Sequence, residues 1–120
     1  MARTDLDIEE LMQRMGLEDA DDVCEVVGFF IEAATPRLTD LGQAISDHDP
    51  AATKHHAHAA KGAAQSVGAG ALETLLIGIE EALAADNWPD LEGFCADLPA
   101  HLQRVESELE SWLKNNPPST

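Results

Sequence analysis

The chain is poor in cysteine and in aromatic residues. It contains no tyrosine, three phenylalanines, two tryptophans and two cysteines among its 120 residues. Cys24 and Cys95 lie beside apolar residues, which is typical of small core residues in a reducing compartment rather than of a disulfide framework. No apolar run is long enough for a signal peptide or a membrane span, so we expect a cytoplasmic protein.

Positive charge is also scarce. Seven Lys and Arg residues face 23 Asp and Glu residues, which gives a formal net charge of −16. Such a surface repels phosphate backbones and anionic lipid, and this argues against nucleic acid and membranes as partners. A glycine-rich nucleotide-binding loop is missing as well, so we expect no kinase activity from the chain itself.

Alanine and leucine are abundant, and the apolar residues recur at helical spacing. This periodicity predicts helices at 4–15, 21–47, 50–66, 70–86 and from 88 onward, with a frayed tail at 115–120. Pro36 lies inside the second segment, where we expect a kink near 33–35 rather than a helix end, and Pro99 is expected to be tolerated in the fifth. One short and four longer amphipathic helices predict one all-α domain over 1–120, an antiparallel four-helix bundle with a short N-terminal lid helix.

Capping residues mark several of the predicted helix ends. Thr4, with Asp7 three positions later, is expected to cap the first helix, and Gly16 is expected to end it. Asp49 followed by Pro50 favours the start of the third helix, because aspartate caps a helix and proline fits its first turn. Apolar residues of the first helix share one face, and they are Ile8, Leu11, Met12 and Met15.

The sharpest change in composition lies between Pro50 and Leu72. This segment contains no Asp or Glu, although it holds two of the seven basic residues and three of the five histidines. A locally cationic helix in an acidic protein can tolerate an anion. We therefore place the candidate functional site on the third helix.

His58 is predicted to stand at the centre of the exposed face of this helix. At about 100° per residue, the residues within about 60° of it are Ala51, Lys54, His55, Lys61, Gly62 and Gln65. A neutral imidazole is a good nucleophile toward phosphorus, and ammonium groups one turn away on each side, at Lys54 and Lys61, can offset the charge of the product. Gly62 costs the helix about 1 kcal/mol relative to alanine, and we interpret it as room for another protein's active site.

The run from His58 to Ala69, His-Ala-Ala-Lys-Gly-Ala-Ala-Gln-Ser-Val-Gly-Ala, resembles the signature of the histidine-containing phosphotransfer (HPt) family. The resemblance implies that His58 accepts a phosphoryl group on Nε2, that Lys61 helps to hold it, and that Gly62 leaves space beside it. Glu80 stands 22 residues after His58, where many bacterial members have a glutamine bonded to the ring. By the same resemblance, Glu80 is expected to accept the Nδ1 proton and orient the imidazole.

The resemblance further implies a function: relay of a phosphoryl group between receiver-domain aspartates in a two-component phosphorelay. The expected partners are response-regulator receiver domains and a hybrid sensor kinase, with the chain itself a monomer. The chain is expected to bind no cofactor, because Mg²⁺ comes with the receiver domain. Partner docking is expected on one set of residues around His58 and on the lid helix: Ala51, His55, Gly62, Gln65, Leu11 and Met12.

Two other classes of function remain open from the sequence. A metal site could use His55 and His58 with His48, although the acid-free segment supplies no carboxylate ligand and the lysines would repel a cation. A scaffolding bundle could bind a partner helix in an apolar groove, but that function would leave the arrangement of Lys61 and Gly62 unexplained.

Overall fold

The computed structural model describes residues 6–117 and is all-helical over that range, as the periodicity predicts. Five α-helices follow one another: α1 (Ile8–Met15), α2 (Ala20–Ser46), α3 (Pro50–Val67), α4 (Gly70–Ala84) and α5 (Trp88–Asn115). Most predicted bounds agree with these within two residues. The last helix continues through Asn115, the first residue of the predicted tail. Residues 118–120 of that tail lie outside the described residues.

The start of α1 was predicted wrongly. Leu6 and Asp7 are not helical, and Asp7 is itself the N-cap residue in an extended conformation. Its carboxylate Oδ1 accepts a hydrogen bond from the backbone N–H of Glu10 at 3.1 Å. A carboxylate at this position satisfies an otherwise unpaired N–H group of the first turn, so the helix begins at Ile8, the residue after Asp7. Thr4, the expected cap, lies outside the described residues.

The ends of α3 are fixed by the residues that the sequence indicates. Asp49 Oδ1 accepts a hydrogen bond from the N–H of Ala52 at 3.1 Å, and Pro50 occupies the first turn. Gly68 ends the helix with a positive φ of 69°, a conformation that strongly favours glycine. The N–H of Ala69 then reaches back to the carbonyl of Ala64 at 2.9 Å. These caps hold the candidate helix at both ends.

Two prolines lie inside the long helices without ending them. Pro36 lies within α2 and Pro99 within α5, and both rings are exposed. Proline cannot donate a backbone hydrogen bond, but on a solvent-facing surface water can bond the carbonyl group left over. Near the first of them, the Thr35 hydroxyl donates to the carbonyl of Ile31 at 2.7 Å.

The four longer helices pack in a ring around one core. α2 and α4 each contact both α3 and α5. The largest fully buried side chains come from every helix, and they include Leu11, Leu41, Leu72, Leu76, Ile79 and Leu91. None of the helices within residues 6–117 is both long enough and apolar enough to cross a membrane.

The short helix α1 is attached to the ring by apolar and polar contacts. Ile8 and Leu11 are buried in the common core. Arg14 Nη2 donates to the carbonyl of Ser66, near the end of α3, at 3.1 Å. These contacts place α1 beside the C-terminal end of the candidate helix.

The two tryptophans lie at opposite ends of α5. The Trp88 ring stacks on the His48 imidazole with 4.5 Å between ring centroids, and its Nε1 donates to Asp86 Oδ1 at 2.9 Å. Trp112 Nε1 donates to Glu9 Oε1 of α1 at 3.2 Å. Each ring therefore joins α5 to a different part of the fold.

Candidate functional site

α3 buries small residues and exposes the chemically active ones. The buried positions are Thr53, Ala57, Ala60, Ala64 and Val67. The opposite face is exposed, as the helical arithmetic predicts, at Ala51, Lys54, His55, His58, Gly62 and Gln65. Because alanine dominates the inward face, the helix axis can lie close to its neighbours while the other face remains open to solvent.

The imidazole of His58 is exposed at the centre of this open face. No side chain among residues 6–117 forms a hydrogen bond with it. The lone pair of a neutral ring is therefore available to an incoming electrophile, and no other side chain has to move first.

Lys61 is half-buried, unlike the other residues predicted to surround His58 on α3. Its Nζ lies 2.7 Å from Oε1 of Glu80 on α4, and the two side chains are 24% and 28% exposed. A distance this short is that of a charge-assisted hydrogen bond, which joins α3 to α4 beside the His58 face.

The role expected of Glu80 does not agree with this contact. Glu80 bonds the ammonium group of Lys61, and no hydrogen bond to the His58 ring is formed. The lysine side chain leaves α3 on the side of α4, so its ammonium group meets the carboxylate there. In the structure, Glu80 is the counter-ion of Lys61.

Gly62 has open space around its α-carbon. A β-carbon built there would meet no atom of a neighbouring element within 4 Å. Packing within the described chain therefore gives no reason for glycine at this position. Lys54, on the preceding turns of the same face, is exposed and forms no ion pair with a described residue.

The other two histidines of α3 differ in environment. His55 is exposed, whereas His56 is half-buried, and their rings meet edge to face with 5.2 Å between centroids. The Nδ1 atom of His56 is buried without a hydrogen-bond partner. His55 thus remains a surface neighbour of His58, and His56 belongs to the boundary of the core.

The prediction that Leu11 forms part of a docking surface is wrong. Its side chain is 1% exposed, because it shares the inward face of α1 with Ile8, three positions before it. Met12 is half-buried. Met15, which the sequence placed on the apolar face of α1, is 48% exposed, and Phe29 of α2 is 63% exposed. Periodicity leaves Phe29 outside the apolar stripe of α2 but does not identify Met15 as exposed, because the neighbouring helices decide how far along α1 its apolar side chains are covered.

A metal site at the histidines finds no support in the geometry. Within residues 6–117, no three or more His, Cys, Asp or Glu side chains are placed so that they could share an ion. His48, the third proposed ligand, lies in the turn before α3, with its Nε2 3.2 Å from Oε1 of Glu92 and its ring stacked on Trp88.

The described chain is a bundle of helices with an exposed histidine at the centre of one open helix face. A family model, that of the Hpt domain, matches residues 25–112. The match spans most of the 120-residue chain and all of α3, so the chain belongs to the Hpt domain family. No curated protein and no solved structure gives a significant match. Hpt domains act in histidine phosphotransfer within phosphorelays.

Proposed function

We propose that this Hpt domain relays a phosphoryl group between receiver-domain aspartates, with His58 as the residue that carries it. One observation carries the proposal: His58 is exposed and forms no hydrogen bond with any residue from 6 to 117, on a helix that contains no Asp or Glu. Lys61 follows it by three positions and Gly62 by four, within the segment matched by the family. That arrangement suits a nucleophile that must enter another protein's active site.

The transfer exchanges one bond to phosphorus for another. The lone pair on His58 Nε2 attacks the phosphorus atom of an aspartyl phosphate on the partner. The N–P bond forms as the P–O bond to the aspartate breaks, and the aspartate leaves as a carboxylate. Nδ1 keeps its proton during this step. The Mg²⁺ ion that belongs to the receiver domain supplies positive charge at the moving phosphoryl group.

Two lysines of this chain assist the transfer. Lys61 and Lys54 lie one turn from His58 on either side, and their charges offset the negative charge that arrives with the phosphoryl group. The partners in this proposal are response-regulator receiver domains and a hybrid sensor kinase. The chain acts as a cytoplasmic monomer. Its four longer helices run antiparallel, and the exposed face of α3 is the one that meets the partner.

The proposal is tested by transfer from a phosphorylated receiver domain. The expected result is label on the wild-type chain that survives alkali and is lost in acid, as a phosphohistidine does. His58→Ala removes the nucleophile and should take up no label. His55→Ala is the matched control, because it removes an exposed histidine from the same face but keeps the nucleophile, so label should still appear even where loss of a docking contact slows its uptake. Label that persists in His58→Ala would refute the assignment.

A further inference from the structure

We propose that Glu80 competes with the phosphoryl group for Lys61, and thereby makes the phosphohistidine at His58 a better donor. This inference rests on the proposed function, since it concerns the phosphorylated state of His58. Lys61 Nζ and Glu80 Oε1 form an ion pair with a separation of 2.7 Å. In this pair, a lysine to which the proposed function assigns the phosphoryl group already has a carboxylate partner.

The environment of the pair makes the competition effective. Each side chain is about three-quarters covered, with 24% and 28% exposed. Water and salt screen such a pair less than they screen an ion pair on an open surface. The carboxylate also comes from α4, whereas α3 itself has no acidic residue. Among residues 6–117, Glu80 is thus the acidic residue that forms an ion pair with a lysine of α3.

Phosphorylation places a second anion beside the same ammonium group. A phosphoryl group carries close to two negative charges near neutral pH. Lys61 has three N–H donors but only one positive charge and one side-chain position, so the two anions compete for its charge and its reach. The carboxylate and the phosphoryl group also repel each other. Both the competition for Lys61 and the repulsion between the two anions raise the free energy of the phosphorylated state.

The unphosphorylated state gains from the same contact. Glu80 gives the Lys61 ammonium a partner while His58 carries nothing, and it holds the side chain between α3 and α4. Loss of the phosphoryl group restores this pair intact. The equilibrium between phosphohistidine and receiver aspartyl phosphate is therefore shifted toward the receiver.

The test replaces Glu80 by its uncharged isostere. Glu80→Gln keeps the shape of the side chain and an oxygen that can accept from Lys61, and it removes the competing charge. Glu81→Gln is the matched control, because it removes the neighbouring carboxylate, which is exposed and forms no ion pair with a described residue. Phosphoramidate, a small phosphoryl donor, labels all chains without a partner protein, and circular dichroism checks that each is folded.

Two quantities are measured: the half-life of the phosphohistidine, and its equilibrium with a receiver domain. Glu80→Gln should lengthen the half-life and shift the equilibrium toward the histidine by about fivefold, the upper range for an ion pair that is partly screened. Glu81→Gln should leave both close to the wild-type values. In a Lys61→Ala background, Glu80→Gln should lose most of its effect, because the ammonium group for which the anions compete is gone.

The outcomes separate this inference from the proposed function. If wild-type protein takes no label at His58, the proposed function fails. If it is labelled but Glu80→Gln behaves like Glu81→Gln, only the inference fails. A shorter half-life in Glu80→Gln would show that Glu80 supports the phosphohistidine by positioning Lys61, which overturns the inference. An undiminished effect in the Lys61→Ala background would do the same, because the lysine would then play no part.

Discussion

Thr53 is a polar side chain in the apolar interior of α3. It is 0% exposed, and its hydroxyl oxygen is buried without a hydrogen-bond partner. A buried hydroxyl that has left water and found no partner costs free energy, whereas a methyl group in the same place does not. Thr53→Val keeps the shape of the side chain and removes this cost. We expect the free energy of unfolding to rise by about 1 kcal/mol, measured by urea denaturation.

Thr35→Val is the control for that substitution. This threonine is exposed, and its hydroxyl donates to the carbonyl of Ile31 at 2.7 Å. Replacing Thr35 by valine removes this existing hydrogen bond, so the free energy of unfolding should stay constant or fall. A fall in stability for Thr53→Val would mean that its hydroxyl has a partner in solution.

Single residues of the site could be predicted where one helix decides their environment. The exposure of His58, Gly62 and Gln65 follows from helical spacing within α3 alone, and the structure agrees. The environments of Leu11 and Glu80 depend instead on how α1 and α4 are turned against their neighbours. That rotation arises from packing among helices far apart in sequence, and the periodicity of a single helix does not determine it.

Gly62 shows how the element α3 balances its own stability against access. Its backbone is helical, and a β-carbon there would meet no neighbouring element within 4 Å. Gly62→Ala should therefore stabilise the free protein by about 1 kcal/mol, the difference in helix propensity. This gain is measured by thermal or urea unfolding. A loss of stability would mean that the helix requires glycine for reasons internal to the fold.

A larger side chain at the same position tests access to His58. Gly62→Leu should fold as well as Gly62→Ala, because the space is open to solvent. It should nevertheless slow transfer from a receiver domain by at least about tenfold, since a leucine beside the imidazole blocks a partner that approaches closely. Labelling by phosphoramidate, which needs no docking, should continue. Transfer at the normal rate would show that the receiver does not dock over Gly62.

The helices as elements were largely predictable, including their continuation through both prolines, whereas the start of α1 was not. Periodicity gave the existence of all five and the approximate length of the four longer ones, because each buries one apolar stripe. The prolines at 36 and 99 do not stop their helices, since each ring points to solvent. The start of α1 was missed because two residues, Thr4 and Asp7, were both capable of capping, and the sequence alone does not rank them.

The molecule as a whole carries a charge of −16, and this charge opposes its own compactness. Like charges brought together on folding repel one another, and salt screens that repulsion. Raising NaCl from about 0.02 M to about 0.5 M should therefore raise the melting temperature. Ion pairs such as Lys61 with Glu80 weaken at the same time, but seven Lys and Arg residues cannot neutralise 23 Asp and Glu residues.

Potassium chloride is the control for this measurement. Screening depends on ionic strength and not on the identity of the cation, so both salts should give the same curve. A melting temperature that falls with either salt would mean that the ion pairs stabilise the fold more than the net charge destabilises it.

The two tryptophans give the protein a built-in optical probe. Trp88 and Trp112 are separated by 24 residues of one helix, or about 36 Å at the rise of an α-helix, and the chain has no tyrosine. Ultraviolet emission therefore comes from two distant sites with different neighbours, His48 at one and Glu9 at the other. With Trp88 replaced by phenylalanine, the remaining fluorescence would follow the attachment of α1 alone, without any added dye.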